Sequence, residues 1–136
     1  MSAGPNPGMD QDTFEQFHEQ LERYVRERLI PAEKDMIEHD KVPEDILSEM
    51  KEMGLFGLTV PEDFGGAGLN ITQYAKVVQT MAYAAPAFRS IFSINVGMFN
   101  SAIKNGGTDA QKAEWWPKIA EGAIACFGLT EPGSGS

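Results

Sequence analysis

Four things are scarce in this 136-residue chain. Cysteine occurs once, at Cys126, so an internal disulfide is excluded and nothing in the thiol content calls for an oxidising compartment. Basic residues are few: 11 Lys and Arg stand against 20 Asp and Glu, and a net charge of −9 argues against nucleic acid as a partner. Long apolar runs are missing, with none near the roughly 18 residues that a membrane span requires. Histidine occurs only twice, at His18 and His39, and neither stands with Cys126 at zinc-ligand spacing. The opening Met1 to Gly8 has no basic flank, no apolar core and no arginine. Neither a secretory signal nor a transit peptide is expected there, which points to a cytoplasmic protein. Residues 1–9 read as a disordered tail.

The charge is unevenly placed. Residues 1–63 hold 16 acids and 6 bases, net −10, whereas residues 64–136 hold 4 acids and 5 bases, net +1. The first half therefore reads as solvated, and the second as buried or facing a ligand. Apolar periodicity is helical throughout. Phe14, Phe17, Leu21, Tyr24, Val25 and Leu29 mark one face of a first helix, for which Asp12 and Glu15 are the expected capping pair. Pro31 is expected to break or kink it. Pro43 sits at the first position of a second helix, with Ile46, Leu47, Met50 and Met53 as its buried face and Gly54 as its stop. Asn70 and Gln73 cap a third, and Thr108 and Gln111 a fifth. Between them residues 87–104 are apolar on every side, the mark of a helix buried in the middle of something. Pro117 is expected to interrupt the fifth helix, and Gly122 to end it. Trp115 and Trp116 read as core rather than as ligand-stacking groups. The fold class is all-α, with about five to six helices and an extended C-terminal segment, lacking the strand alternation of a parallel sheet.

Two glycine-bearing stretches carry the candidate chemistry. Pro61 to Gly68 contains Gly65-Gly66-Ala67-Gly68, without the Lys-Ser/Thr of a phosphate-binding P-loop, so a tight backbone passage is favoured over a phosphate site. The chain ends in Phe127-Gly-Leu-Thr-Glu-Pro-Gly-Ser-Gly-Ser136. Glycines admit close backbone approach, and successive free N–H groups with serine hydroxyls suit a phosphate or a polarised carbonyl. The plainer reading is a surface turn. Glu131 reads as ordering this turn rather than moving protons, since no second titratable partner is visible. Cys126, in an apolar run, reads as a buried inert thiol, and His18, bordering an apolar face, as a packing or surface residue.

The letters from Phe127 to Ser136 closely resemble the flavin-binding signature of the acyl-CoA dehydrogenase family, stopping one residue short of the aspartate that follows it there. Met53 to Gly68, MGLFGLTVPEDFGGAG, resembles that family's loop after the second helix. The two stretches stand in family order, and the resemblance covers roughly residues 10–136. It implies an N-terminal helical domain over 10–136 of an FAD-dependent enzyme that oxidises an acyl-CoA to the 2,3-enoyl-CoA. In that family a glutamate removes the α-proton, the flavin takes the β-hydride, and an electron-transfer flavoprotein reoxidises the flavin. The resemblance places Phe127, Leu129 and Thr130 against the isoalloxazine, Gly135 and Ser136 at the pyrophosphate, and Ser136 also near the acyl-CoA. It implies a tetramer for the complete enzyme. The family's middle β-domain and C-terminal helical domain have no counterpart in these residues, nor does the glutamate, so these residues hold no catalytic group and no activity of their own is expected. The competing reading is a non-catalytic helical module that binds a partner through its apolar surface.

Overall fold

The computed structural model describes residues 6–134. Apolar residues at spacings of three and four dictate helices, and the described residues form five helical rods with no strand. The first rod runs α1 (Gln11–Tyr24), a π-helical turn (Val25–Leu29) and α2 (Ile30–His39) without interruption. Asp10, not Asp12, is its N-cap: the Asp10 carboxylate accepts the Thr13 N–H at 3.0 Å. Pro31 does not break this rod. A proline inside a helix removes one N–H and crowds the carbonyl four residues back. Here the turn before it is widened, and the Ile30 N–H reaches the Val25 carbonyl five residues back. The expected break is absorbed as a π-turn.

Next come α3 (Glu44–Glu52), two short 3₁₀ turns (Leu55–Gly57 and Glu62–Phe64) and α4 (Ile71–Met81). Pro43 stands one position earlier than expected, as N-cap of α3, and Gly54 takes φ +71° just after it, as a helix stop requires. The capping boxes of Asn70 with Gln73 and of Thr108 with Gln111 both form. The fourth rod is α5 (Pro86–Ser93), a second π-turn (Ile94–Phe99) and α6 (Asn100–Gly106). The last is α7 (Asp109–Ala120), which carries Pro117 inside it unbroken, and Gly122 at φ +93° ends it.

The main core lies where the first rod, α3, α4 and α5 converge. Phe14, Phe56, Phe88 and Phe92 are fully buried there, each contributing about 2–3 kcal/mol of transfer free energy. A second, smaller cluster holds Val60, Trp116 and Ile119, with Phe64 set edge-on to Trp116 at 4.8 Å between centroids. Trp116 is thus core, as its helical position suggests. Trp115 is not: it is partly exposed, with Phe99 edge-on and the Lys118 ammonium 4.4 Å from its ring centre. The fourth rod is also less enclosed than its composition implies. Phe88, Phe92 and Val96 are buried, while Ile94 and Met98 face outward, Met98 at 52% exposure.

Candidate functional site

The glycine loop resolves as a backbone crossing. Its N–H groups are taken up by carbonyls of the chain itself: Gly65 donates to Glu62, Gly66 to Pro61, Ala67 to Gly57, Gly68 to Val60 and Leu69 to Leu58, at 2.8–3.2 Å. A phosphate cradle needs those donors free, so the structural reading holds. The crossing also explains the glycine at 66. A Cβ there would lie 2.5 Å from the Val60 carbonyl carbon and 2.4 Å from the Val60 Cβ.

The C-terminal segment is arranged in the opposite way. After α7 the Gly122 and Ala123 N–H groups return to Ile119 and Lys118. Ala125 packs against the smaller cluster. From Cys126 onward every described residue is exposed, Phe127 at 45% and Leu129 at 74%. Among the described residues the only hydrogen bond formed beyond Ala125 is Ser134 N–H to the Glu131 carbonyl, 3.1 Å, a local turn. The N–H groups of Phe127 and Leu129 and the Thr130 hydroxyl have no partner among the described residues. Glu131 is exposed, with Pro132 and Gly133 forming its turn. Gly135 and Ser136 lie outside the described residues. Cys126 departs from expectation: its thiol is exposed, because the apolar run leaves the core after Ala125 instead of entering it.

Two buried residues that periodicity did not single out hold this region together. Asn95 is fully buried in the second π-turn. Its side-chain N–H donates to the Ala123 carbonyl at 2.5 Å, and its carbonyl oxygen accepts the Ala125 N–H at 2.8 Å. Asn100, 3% exposed, accepts the Trp116 indole N–H at 2.6 Å and donates to the Thr59 hydroxyl at 2.7 Å; that hydroxyl donates to the Val96 carbonyl at 3.2 Å. Residues five apart lie about 140° apart on an ideal α-helix. The π-turn, in which the Asn100 N–H bonds the Asn95 carbonyl, draws them toward one side. The sequence did hold a signal for both: an amide within an otherwise apolar helix must find partners once buried.

Elsewhere, a groove of about 460 Å³ opens between α4 and the fourth rod, with Leu69, Tyr74, Val96, Gly97, Ser101 and Lys104 among its walls. Burial raises the Tyr74 phenol pKa above its usual 10, with Arg89 opposing. His18 is half-buried, stacked on Phe14, with Nε2 2.8 Å from the Thr80 hydroxyl, a packing role. The described residues contain no cluster of His, Cys, Asp or Glu that could hold a metal ion, and no helix long and apolar enough to cross a membrane. Asn6 to Met9, within the stretch read as a tail, lie along the start of α4: Asn6 donates to the Gly68 carbonyl at 3.0 Å, and Gln73 bonds both the N–H and the carbonyl of Met9.

A helical bundle that ends in an exposed Gly/Ser turn bearing that signature defines a class, and comparison with known proteins agrees. A family model described as acyl-CoA dehydrogenase, N-terminal domain, matches residues 11–123. This chain belongs to the acyl-CoA dehydrogenase family. It is 40% identical over 115 residues to the very long-chain specific acyl-CoA dehydrogenase, mitochondrial, of Rattus norvegicus, covering 84% of this chain and 17% of that protein. It is 36% identical over 131 residues to the (2S)-methylsuccinyl-CoA dehydrogenase of Cereibacter sphaeroides, covering 95% and 24%. A solved glutaryl-CoA dehydrogenase from Mycobacterium smegmatis in complex with FADH2 superposes with a TM-score of 0.78 at 32% identity, over 94% of this chain and 33% of that one. A chain from structural work on the electron transferring flavoprotein of Acidaminococcus fermentans and flavin-based electron bifurcation gives 0.80 at 26% identity, over 93% and 33%. The chain thus spans about a fifth of the curated relatives' length and a third of the solved chains.

Proposed function

We propose that this chain is the N-terminal helical part of an FAD-dependent acyl-CoA dehydrogenase that oxidises an acyl-CoA to the 2,3-enoyl-CoA and hands the electrons to an electron-transfer flavoprotein. The observation that carries the reading is the exposed signature: Phe127, Leu129 and Thr130 leave the fold with N–H and hydroxyl donors that have no partner among the described residues, beside exposed apolar side chains. That donor set fits a flavin, whose ring has an apolar face and an edge of carbonyl and nitrogen acceptors. Backbone N–H groups at Phe127 and Leu129 and the Thr130 hydroxyl would hold that edge, and fixed dipoles there stabilise negative charge as it develops. Gly135 and Ser136 would serve the pyrophosphate, and Ser136 would also approach the acyl-CoA. The flavin, when bound, supplies the hydride acceptor; the protein supplies position and electrostatics. None of these 136 residues is assigned as the base, so catalysis belongs to an assembly that includes more of the relatives' length, and that assembly is proposed to be a tetramer. The relative solved with FADH2 and the neighbour from electron transferring flavoprotein work support the cofactor and partner respectively.

The test is made on the protein as its source organism produces it. We expect a mass well above 14.9 kDa, bound FAD by its visible absorbance, and anaerobic bleaching of that absorbance by an acyl-CoA. Thr130→Ala should shift the flavin spectrum. A protein without flavin that gives no bleaching sinks the proposal. One observation favours the alternative, a non-catalytic helical module: Ile94, Met98 and Leu129 leave apolar surface uncovered. That reading requires a cooperative, monomeric domain with no FAD affinity at any length.

A further inference from the structure

We infer that Asn95 is a positioning residue that sets the path along which Phe127, Leu129 and Thr130 are presented. The inference rests on the flavin reading above for what is presented, and on geometry alone for how. Three observations meet here. Asn95 is wholly buried and yet polar, so its amide must be satisfied from within. Both ends of that amide are satisfied by a single stretch of backbone 28 to 30 residues away, the Ala123 carbonyl and the Ala125 N–H. Beyond Ala125 no described residue is tied back to the helices, so these two bonds are the last hydrogen-bonded attachment before the signature.

An amide that pairs with the C=O of one residue and the N–H of the residue two further on imitates one rung of a β-ladder. It therefore fixes more than proximity: it fixes the register and the direction of this segment. Leu, Ala or Ser at position 95 cannot make both bonds. The π-turn matters as well, since it places Asn95 beneath the segment while Asn100, five residues on, faces Thr59 and Trp116. The fourth rod thus grips the protein's own C-terminal segment with one amide and its interior with the other.

Asn100 supplies the matched control. It is equally helical and nearly as buried, and it makes two side-chain hydrogen bonds, neither to the segment. In the protein as its source makes it, two quantities are measured for N95A and N100A: the dissociation constant for FAD by titration of the apoprotein, and exchange of the Ala125 amide by hydrogen-exchange mass spectrometry. N95A should weaken FAD by about ten- to a hundred-fold, the loss of two net hydrogen bonds' worth of ordering. It should also speed Ala125 exchange by about ten-fold or more. N100A should lower the melting temperature while leaving the FAD constant within about three-fold and Ala125 protected. If N95A does not fold, A125P takes its place, removing the accepted N–H from the segment and leaving the helix intact, with the same expected loss of FAD affinity. Equal FAD affinities for N95A and N100A, or an unchanged affinity in A125P, overturn the inference. Fast Ala125 exchange in the unaltered protein overturns the anchoring by itself. An unaltered protein that binds no FAD but protects Ala125 overturns the flavin reading, and with it the presentation of residues 127–130 to that cofactor, while the anchoring stands.

Discussion

Replacing Asn100 by alanine should destabilise the domain through one identifiable orphan. The indole N–H of Trp116, a residue only 7% exposed, donates to Asn100 at 2.6 Å and has no other acceptor among the described residues. Leaving a buried donor unsatisfied costs about 1–3 kcal/mol. The Thr59 hydroxyl is not orphaned, because it still donates to the Val96 carbonyl. Truncating the amide opens a small void that adds about 1 kcal/mol. The sum is about 2–4 kcal/mol, which in a chain of this size lowers the melting temperature by roughly 6–15 °C. W116F removes the donor instead and orphans the acceptor, costing about 1–3 kcal/mol. In the double variant donor and acceptor are both gone, so the two losses should not add: the coupling should be about 1–2 kcal/mol. Urea unfolding followed by far-ultraviolet circular dichroism gives all four corners of the cycle without relying on tryptophan emission. A cost below about 0.5 kcal/mol for N100A, or single losses that add within error, would refute the claim that this bond holds the fourth rod to α7.

Gly66→Ala should be among the most damaging changes in the chain, at about 3 kcal/mol or more, because the new methyl would meet backbone rather than a movable side-chain end; urea unfolding or failure of soluble expression reads this out, and a cost under 1 kcal/mol would contradict the crossing. Gly57→Ala, whose Cβ would lie 2.8 Å from the Ala120 Cα, should cost less, about 1–3 kcal/mol, since α7 can shift away. Acid stability has a definite sign. Thr13 holds the Asp10 carboxyl below its ordinary 3.8, the Ile46 N–H and then Arg28 lower Asp45, and Lys41 lowers Glu44 below 4.5. The unfolded chain binds more protons in this range, so stability is full above about pH 5 and falls as pH drops through these depressed values. The groups are exposed, so the slope should be shallow; 1 M salt should reduce the Glu44 and Asp45 parts and spare Asp10, as a pH series of melting curves would show.

Much of the fold was legible in one dimension, because helix-forming information is local. Apolar spacing marked the faces of α1, α3 and α4, and the Asn70–Gln73 and Thr108–Gln111 pairs marked helix starts through bonds that span only three residues. Gly54 and Gly122 marked stops because only a residue without a Cβ sits easily at positive φ. The stretch from Phe127 to Ser136 was legible as a family resemblance because its residues stand together in the sequence. Prolines misled where tertiary packing outweighs a local penalty. Pro31 and Pro117 each remove one hydrogen bond, yet the helices around them bury enough apolar surface to continue, one by widening into a π-turn. What only the folded chain decided is which groups separated by 16 to 41 residues meet. The Thr59–Asn100–Trp116 chain and the grip of Asn95 on Ala123 and Ala125 depend on where rods pack. No periodicity announces them, since a π-turn shifts the phase of the helix at the position where the two asparagines had to be turned inward.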